Sequence, residues 1–332
     1  MNLSFFKKHK VVSSLLVLIL ILATTVAVYP LYLRTGIPKE RNYPSYIKGV
    51  TVVNFLLAQD IKQMKNDNIN FVSLYPAVHL NIPSQETLYL RFVKKAKKNG
   101  IAINLAPAIF APDPPDPKSV DDEKLARYTD GILDWAKFAE KYGVEYFTPM
   151  GEVDFALCTD RALAWLEQVL PEIRKVYSGK IFTQYAGNHM DCRPEGKWLS
   201  DEEEVEYWVK MVRESKDFDG VLLDIFAPMQ KEQFEDFYST LEKTVKLTSV
   251  EAKKLDLEIA IGEFGIATEK SKHSEGLTPG PIVSVEEQLE FTEKYLDIVM
   301  PHYDGVIYGA WATTDYGMKD KPVEKIIRER FE

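Results

Sequence analysis

The stretch DGVLLDIFAP, residues 219–228, follows an amphipathic helical pattern and starts, after one aspartate, with a glycine. Glycine just past a helix accepts the left-handed conformation that ends it. The apolar run behind it fits a strand buried on both faces, as in a parallel sheet. The same form recurs in KGVTVVNF (48–55), NGIAINLAPAIF (99–110), YGVEYFTPMGE (142–152) and DGVIYGAWAT (304–313). Three further runs match in composition without the leading glycine: INFVSLYPAVHL (69–80), KIFTQYAG (180–187) and LEIAIGEFGIAT (257–268). Helical patterns separate the eight runs, several opening with Ser, Thr or Asp ahead of acidic residues, as helix N-termini do. Eight strand–helix units within residues 48–332 predict an α/β fold, a (β/α)8 barrel. The alternative is an open doubly wound sheet, but no glycine-rich phosphate loop follows any of the strands.

The chain has 332 residues, 45% of them hydrophobic, which is ample for one large core. Its net charge of −9, without a basic stripe, argues against nucleic acid as a partner. The N-terminus departs from this pattern. A basic tip with Lys7, Lys8 and Lys10 precedes an uncharged apolar run from Val11 to Val28. That length approaches the ~20 residues that span a bilayer. Residues 1–29 are therefore expected to form a cytoplasmic tip and transmembrane anchor, with the rest of the chain outside the cytoplasm. The rival reading is a cleaved signal peptide ending near Thr25-Val26-Ala27. Residues 30–47 are expected to serve as a linker, and 48–332 as the catalytic domain.

Glu263 closes the apolar run IAIGEFGIAT. A carboxylate is costly to bury unless something pairs with it or uses it. In a barrel of this kind, sites are built at the C-terminal ends of the strands, where Glu263 falls on strand seven. Glu152, in YFTPMGEVDF, falls at the corresponding end of strand four, roughly across the mouth. Asp154, two residues on, is a rival acid. Two facing carboxyls suit glycosidic hydrolysis: one protonated to assist the leaving oxygen, the other ionised to attack or to activate water.

These residues resemble the retaining glycoside hydrolases of clan A, which include family-5-like cellulases and β-mannanases. IGEFG around Glu263 is similar to their nucleophile motif, and GAWATTDYG to their strand-eight segment. The resemblance covers residues 48–332. It implies Glu152 as acid/base, Glu263 as the nucleophile of a double displacement, Trp311 as the floor of the sugar site, and an oligo- or polysaccharide substrate. Three positions depart from the clan's pattern. Gly151 stands where an Asn usually contacts the sugar 2-hydroxyl. The usual strand-two Arg is missing from FVSLYPAVHL, and the frequent strand-six Tyr from LLDIFAP. A barrel that binds carbohydrate without cleaving it, or serves the cell envelope structurally, is the alternative.

Tyr75, His79, Phe110, Phe155, Tyr185 and Tyr316 lie at or just beyond strand ends, where aromatic rings either stack on sugar or pack the wall. Asn188 and His189 follow strand five, within reach of a sugar. Asp224 on strand six is expected to bind a hydroxyl or to pair with a lysine beneath it. Cys158 and Cys192 are the two cysteines. They follow strands four and five, so a disulfide between neighbouring loops is expected. Two free thiols, or a zinc site with His189, are the alternatives. Neither a cofactor nor a resident metal is expected, since no His-x-His pair occurs.

Overall fold

A computed structural model describes residues 37–52, 60–78, 82–109, 119–187, 192, 199–228, 230–268, 281–311 and 317–332. Eight parallel strands close into a barrel in chain order. They are β1 (Ile47–Val52), β2 (Phe71–Leu74), β3 (Ala102–Leu105), β4 (Tyr146–Phe147), β5 (Lys180–Tyr185), β6 (Gly220–Asp224), β7 (Glu258–Phe264) and β8 (Gly305–Tyr308). Helices connect them: α1 (Ile61–Asn66), α2 (Ile82–Lys98), α3 (Asp122–Tyr142), the short α4 (Val153–Leu157) running into α5 (Thr159–Val176), α6 (Asp201–Glu214), α7 (Phe234–Leu255), α8 (Val285–Val299) and α9 (Pro322–Arg330). The expected (β/α)8 architecture is thus present. Local chemistry marks its joints: capping boxes start α6 at Ser200 and α8 at Ser284, and left-handed Gly143 ends α3.

Strand alternation divides the apolar residues into two cores. Inside the barrel, Ile47, Phe71, Ala102, Tyr146, Phe182, Leu222, Ala260 and Ile307 form a separate cluster, one residue from each strand. The outward neighbours, such as Val50, Val72, Phe147, Leu223 and Ile261, join the larger core between sheet and helices. Both faces of each strand are covered, which is why these runs are predominantly apolar rather than alternating with polar residues.

Residues 37–46, expected as part of a free linker, lie against the N-terminal face of the barrel. The Arg41 guanidinium donates to the Val144 carbonyl and pairs with Glu140 at its other end. Tyr43 meets Tyr146 edge-on at a centroid distance of 5.4 Å, beneath the inner core. Lys97, buried with Glu145 as an ion pair, also donates to the Glu40 carbonyl. Among the described residues no helix is long and apolar enough to cross a membrane. The apolar run 11–28 lies outside them.

Candidate active site

Above the inner apolar cluster, the strands turn polar side chains inward. Thr51, Ser73, Asn104, Thr148, Gln184, Asp224 and Glu263 come from seven strands or their immediate ends, and all are buried. They bond laterally. The Asn104 amide donates to Ser73 and the Thr148 hydroxyl to Asn104, while Thr51 Oγ1 donates to Glu263 Oε1 at 2.9 Å. Buried polar groups are tolerable only when satisfied, and this belt largely satisfies itself.

Glu263 reaches the belt through a break in strand register. Leu222 pairs with Ala260 and Leu223 with Ile261, but Asp224 pairs with Glu263, so Gly262 is skipped. Strict alternation would turn Glu263 toward the helices, because Ala260 faces in and Ile261 out. The extra residue restores it to the interior, as bulges beside active sites often re-aim a side chain. Phe264 then faces outward and stacks on Tyr295 of α8, with centroids 4.4 Å apart. Gly262 is glycine because a Cβ there would come within 2.2 Å of Asp224 Oδ1.

Glu152 follows the short β4 and precedes α4, in the left-handed backbone region at φ 51°. A non-glycine residue there stores strain that its surroundings must offset. Its side chain makes no cap bond and is half-buried at the mouth. Burial, then the charges of Glu263 and Asp154, push its carboxyl up to about 8. Burial also raises Glu263, to about 7, against a hydrogen bond from Thr51 that favours its ionised form. Among the described residues no cation acts on either group. Two interacting carboxyls, both raised, can hold one proton between them.

Tyr75, half-buried just beyond β2, accepts from the Gln184 amide at 2.6 Å. The same amide nitrogen donates to Asp224 Oδ2 at 2.8 Å. Asp224 therefore pairs with an amide from the adjacent strand rather than with a lysine beneath it. Burial, followed by the charges of Glu263 and Glu152, drives its carboxyl well above the usual range. Gly151 has a direct explanation: a Cβ at that position would lie 2.5 Å from Tyr75 Cε1. The Tyr75 ring fills the space beside residue 151.

Asp154 is committed elsewhere. Its two oxygens accept from the backbone of Ala186 and Gly187 at 2.8 and 2.9 Å, and from the Tyr207 hydroxyl. It ties the start of α4 to the end of β5. The Cys158–Cys192 disulfide, with Cα atoms 5.4 Å apart, joins the same two loops. Both attachments brace the segment that carries Glu152.

The other expected contacts are distributed differently. Tyr185 is wholly buried and accepts from Ser215 at the end of α6, because alternation places Gln184 inward and Tyr185 toward the helices. Trp311, expected as a sugar floor, exposes no surface. Its indole N–H goes to Asp60 at 3.1 Å and its backbone N–H to Thr51, fixing it between β8 and β1. Phe155 is half-buried on α4. His79, Phe110, Asn188, His189 and Tyr316 lie outside the described residues. Gln184 and Thr51 were not anticipated. Each is a polar residue at an inward position of the two-residue period, above the apolar inner layer.

No protein-family model and no curated protein matches the chain. Solved structures with a similar fold include a GH113 β-1,4-mannanase, 16% identical, with a TM-score of 0.59 over 87% of this chain and 99% of that one. Another is the GH113 β-mannanase of Alicyclobacillus acidocaldarius in complex with ManMIm, 15% identical, with a TM-score of 0.59 over 87% and 97%. The β-glucuronidase of Ruminococcus gnavus is 12% identical, with a TM-score of 0.59 over 88% of this chain and 51% of that one. What these likenesses show is the fold: a closed, eight-stranded (β/α)8 barrel.

Proposed function

We propose that the protein is a retaining β-glycoside hydrolase, with Glu152 as acid/base and Glu263 as nucleophile. The observation that supports this reading is that Glu152, after β4, and Glu263, turned inward at the end of β7, bring two carboxyls to one barrel mouth, where burial raises both and the charge of Glu263 raises Glu152 further. In the first step a Glu263 oxygen attacks the anomeric carbon, the glycosidic bond breaks, and Glu152 gives its proton to the departing oxygen. In the second, water attacks that carbon and gives a proton to Glu152, and the bond to Glu263 breaks. The substrate class is a β-linked oligo- or polysaccharide. The similar structures act on β-mannan and β-glucuronides, which makes those linkages the first to assay, followed by β-glucans and β-galactans. We place the domain outside the cytoplasm, tethered by residues 11–28. The basic residues before that run and the disulfide support this.

The test is hydrolysis of β-linked aryl glycosides and polymers by the wild type and by Glu263→Gln. Activity abolished in the variant, with a glycosyl adduct on Glu263 trapped by a 2-deoxy-2-fluoro glycoside, is the expected result. A second reading, carbohydrate binding without cleavage, is favoured by the Tyr75 ring lying where the clan's Asn side chain would be. A wild type that binds polysaccharide but cleaves none of these substrates would establish it instead.

A further inference from the structure

Seen from either side, β7 carries one residue too many beside Glu263. Leu223 to Asp224 on β6 is matched by Ile261 to Glu263, and Val306 to Tyr308 on β8 by Ile261 to Phe264. A slip of one residue would return Glu263 to the helical layer and bring Phe264 into the mouth. Where Phe264 rests therefore decides where Glu263 points. The Phe264 ring is wholly buried between two tyrosines. Tyr308 meets it edge-on, with centroids 5.1 Å apart and planes at 77°, and Tyr295 of α8 stacks on it at 4.4 Å and 7°. Tyr295 is itself wholly buried, and its hydroxyl donates to the Ile225 carbonyl at 2.9 Å. A buried phenol needs an acceptor, and this one finds it one residue beyond Asp224, at the end of β6. The ring cannot turn off Phe264 without losing that buried bond. One side chain from the helical layer thus holds the ends of two adjacent strands, each next to an acid of the mouth. Gln288, two turns earlier on the same face of α8, adds a third hold by donating to the Ile266 carbonyl at 2.8 Å.

We infer that Tyr295 is a positioning residue: its ring, fixed by the bond to Ile225, holds Phe264 outward and so keeps Glu263 aimed into the mouth. The catalytic meaning of this rests on the assignment of Glu263 as nucleophile, while the placement itself does not. Thr51 bonds Glu263 Oε1 and so holds the tip of the side chain. The Phe264 stack holds the backbone from which that side chain springs. A reacting group displaced by about 1 Å can lose about a hundredfold in rate, so a hold on that backbone bears directly on turnover.

The experiment compares the wild type with Tyr295→Leu, Tyr295→Phe and Phe264→Leu, and with Phe92→Leu as a control in the fully buried face of α2. Glu263 is titrated by carbon NMR of protein labelled at glutamate carboxyls, its signal assigned with Glu263→Gln. In the wild type burial raises this carboxyl from 4.5 to about 7. Tyr295→Leu removes the stack and the hydroxyl together, so the carboxyl should gain water and its midpoint fall by at least about one pH unit, a tenfold change in acid constant. Phe264→Leu breaks the same stack from β7 and should do the same, which decides the matter where Tyr295→Leu does not fold. Tyr295→Phe keeps the ring and should restore most of the wild-type midpoint. Phe92→Leu should lower Tm and leave the midpoint in place. On a substrate that the wild type cleaves, Tyr295→Leu should lower kcat about a hundredfold with KM little changed. The inference is overturned if both leucine variants of the stack keep the wild-type midpoint, if Tyr295→Phe falls as far as Tyr295→Leu, or if Phe92→Leu does. A wild type that cleaves nothing would end the hydrolase reading alone, because the titration decides the placement without turnover.

Discussion

Glu263→Gln should make the protein more stable at alkaline pH, although it removes the proposed nucleophile. The carboxyl of Glu263 rises from 4.5 to about 7 on folding, chiefly because it is buried. The folded state therefore binds the proton more tightly than the unfolded chain, so stability falls as pH climbs from about 4.5 to about 7 and levels off above. At pH 9 the ionised form is disfavoured by about 3 kcal/mol, taking 1.36 kcal/mol per pH unit. At pH 5 the corresponding figure is below about 1 kcal/mol, because the folded group is already neutral. Glutamine reproduces the shape of the neutral acid, and its oxygen still accepts from Thr51. The variant should thus gain about 2–3 kcal/mol at pH 9, or roughly 5 °C in Tm for a chain of this size, and almost nothing at pH 5. Thermal unfolding of both proteins at the two pH values reads this directly. An equal shift at both pH values, or a loss at pH 9, would refute the claim that ionisation of a buried carboxyl is what the fold tolerates here for the sake of its site.

Three other outcomes follow from the same geometry. Activity should show a narrow bell, rising as Glu263 ionises near pH 7 and falling as Glu152 loses its proton near pH 8, read from kcat/KM against pH. Gly151→Asn, which restores the clan's usual residue, should lower activity rather than improve it. Its Cβ would enter the Tyr75 ring, and overpacking of this kind costs about 1–3 kcal/mol, measurable by denaturant unfolding. Replacing Cys158 and Cys192 by serine should cost about 3–4 kcal/mol, from the entropy of an open loop spanning a sequence separation of 34, and should expose the segment near Glu152 to hydrogen exchange.

Much of this was legible in the chain itself. The Gly-led apolar runs named the strands because helix ends and doubly buried strands have few chemical solutions. Glu152 and Glu263 stood out because a carboxylate at the end of such a run is expensive to bury. Asp154 stood beside Glu152 as a rival acid. Only its contacts with Ala186, Gly187 and Tyr207 showed that it braces the loop instead. Trp311 was expected as a sugar floor, and Tyr185 as either a platform or wall packing; both are covered. The contacts that bury them come from distant segments, Asp60 and Ser215, which local pattern cannot bring together.

The order of apolar and polar residues, by itself, determined the number of strands, their parallel direction and the end of the barrel at which acids collect. It did so because those properties follow from periods of 2 and 3.6 residues and from short-range helix termination. Which way each acid faces was decided only by the closed sheet. The skipped Gly262 rotates Glu263 from the helical layer into the mouth, and Gly151 yields its space to a tyrosine from two strands away. Both depend on how strands register against one another, a property of pairs of segments that no single segment encodes.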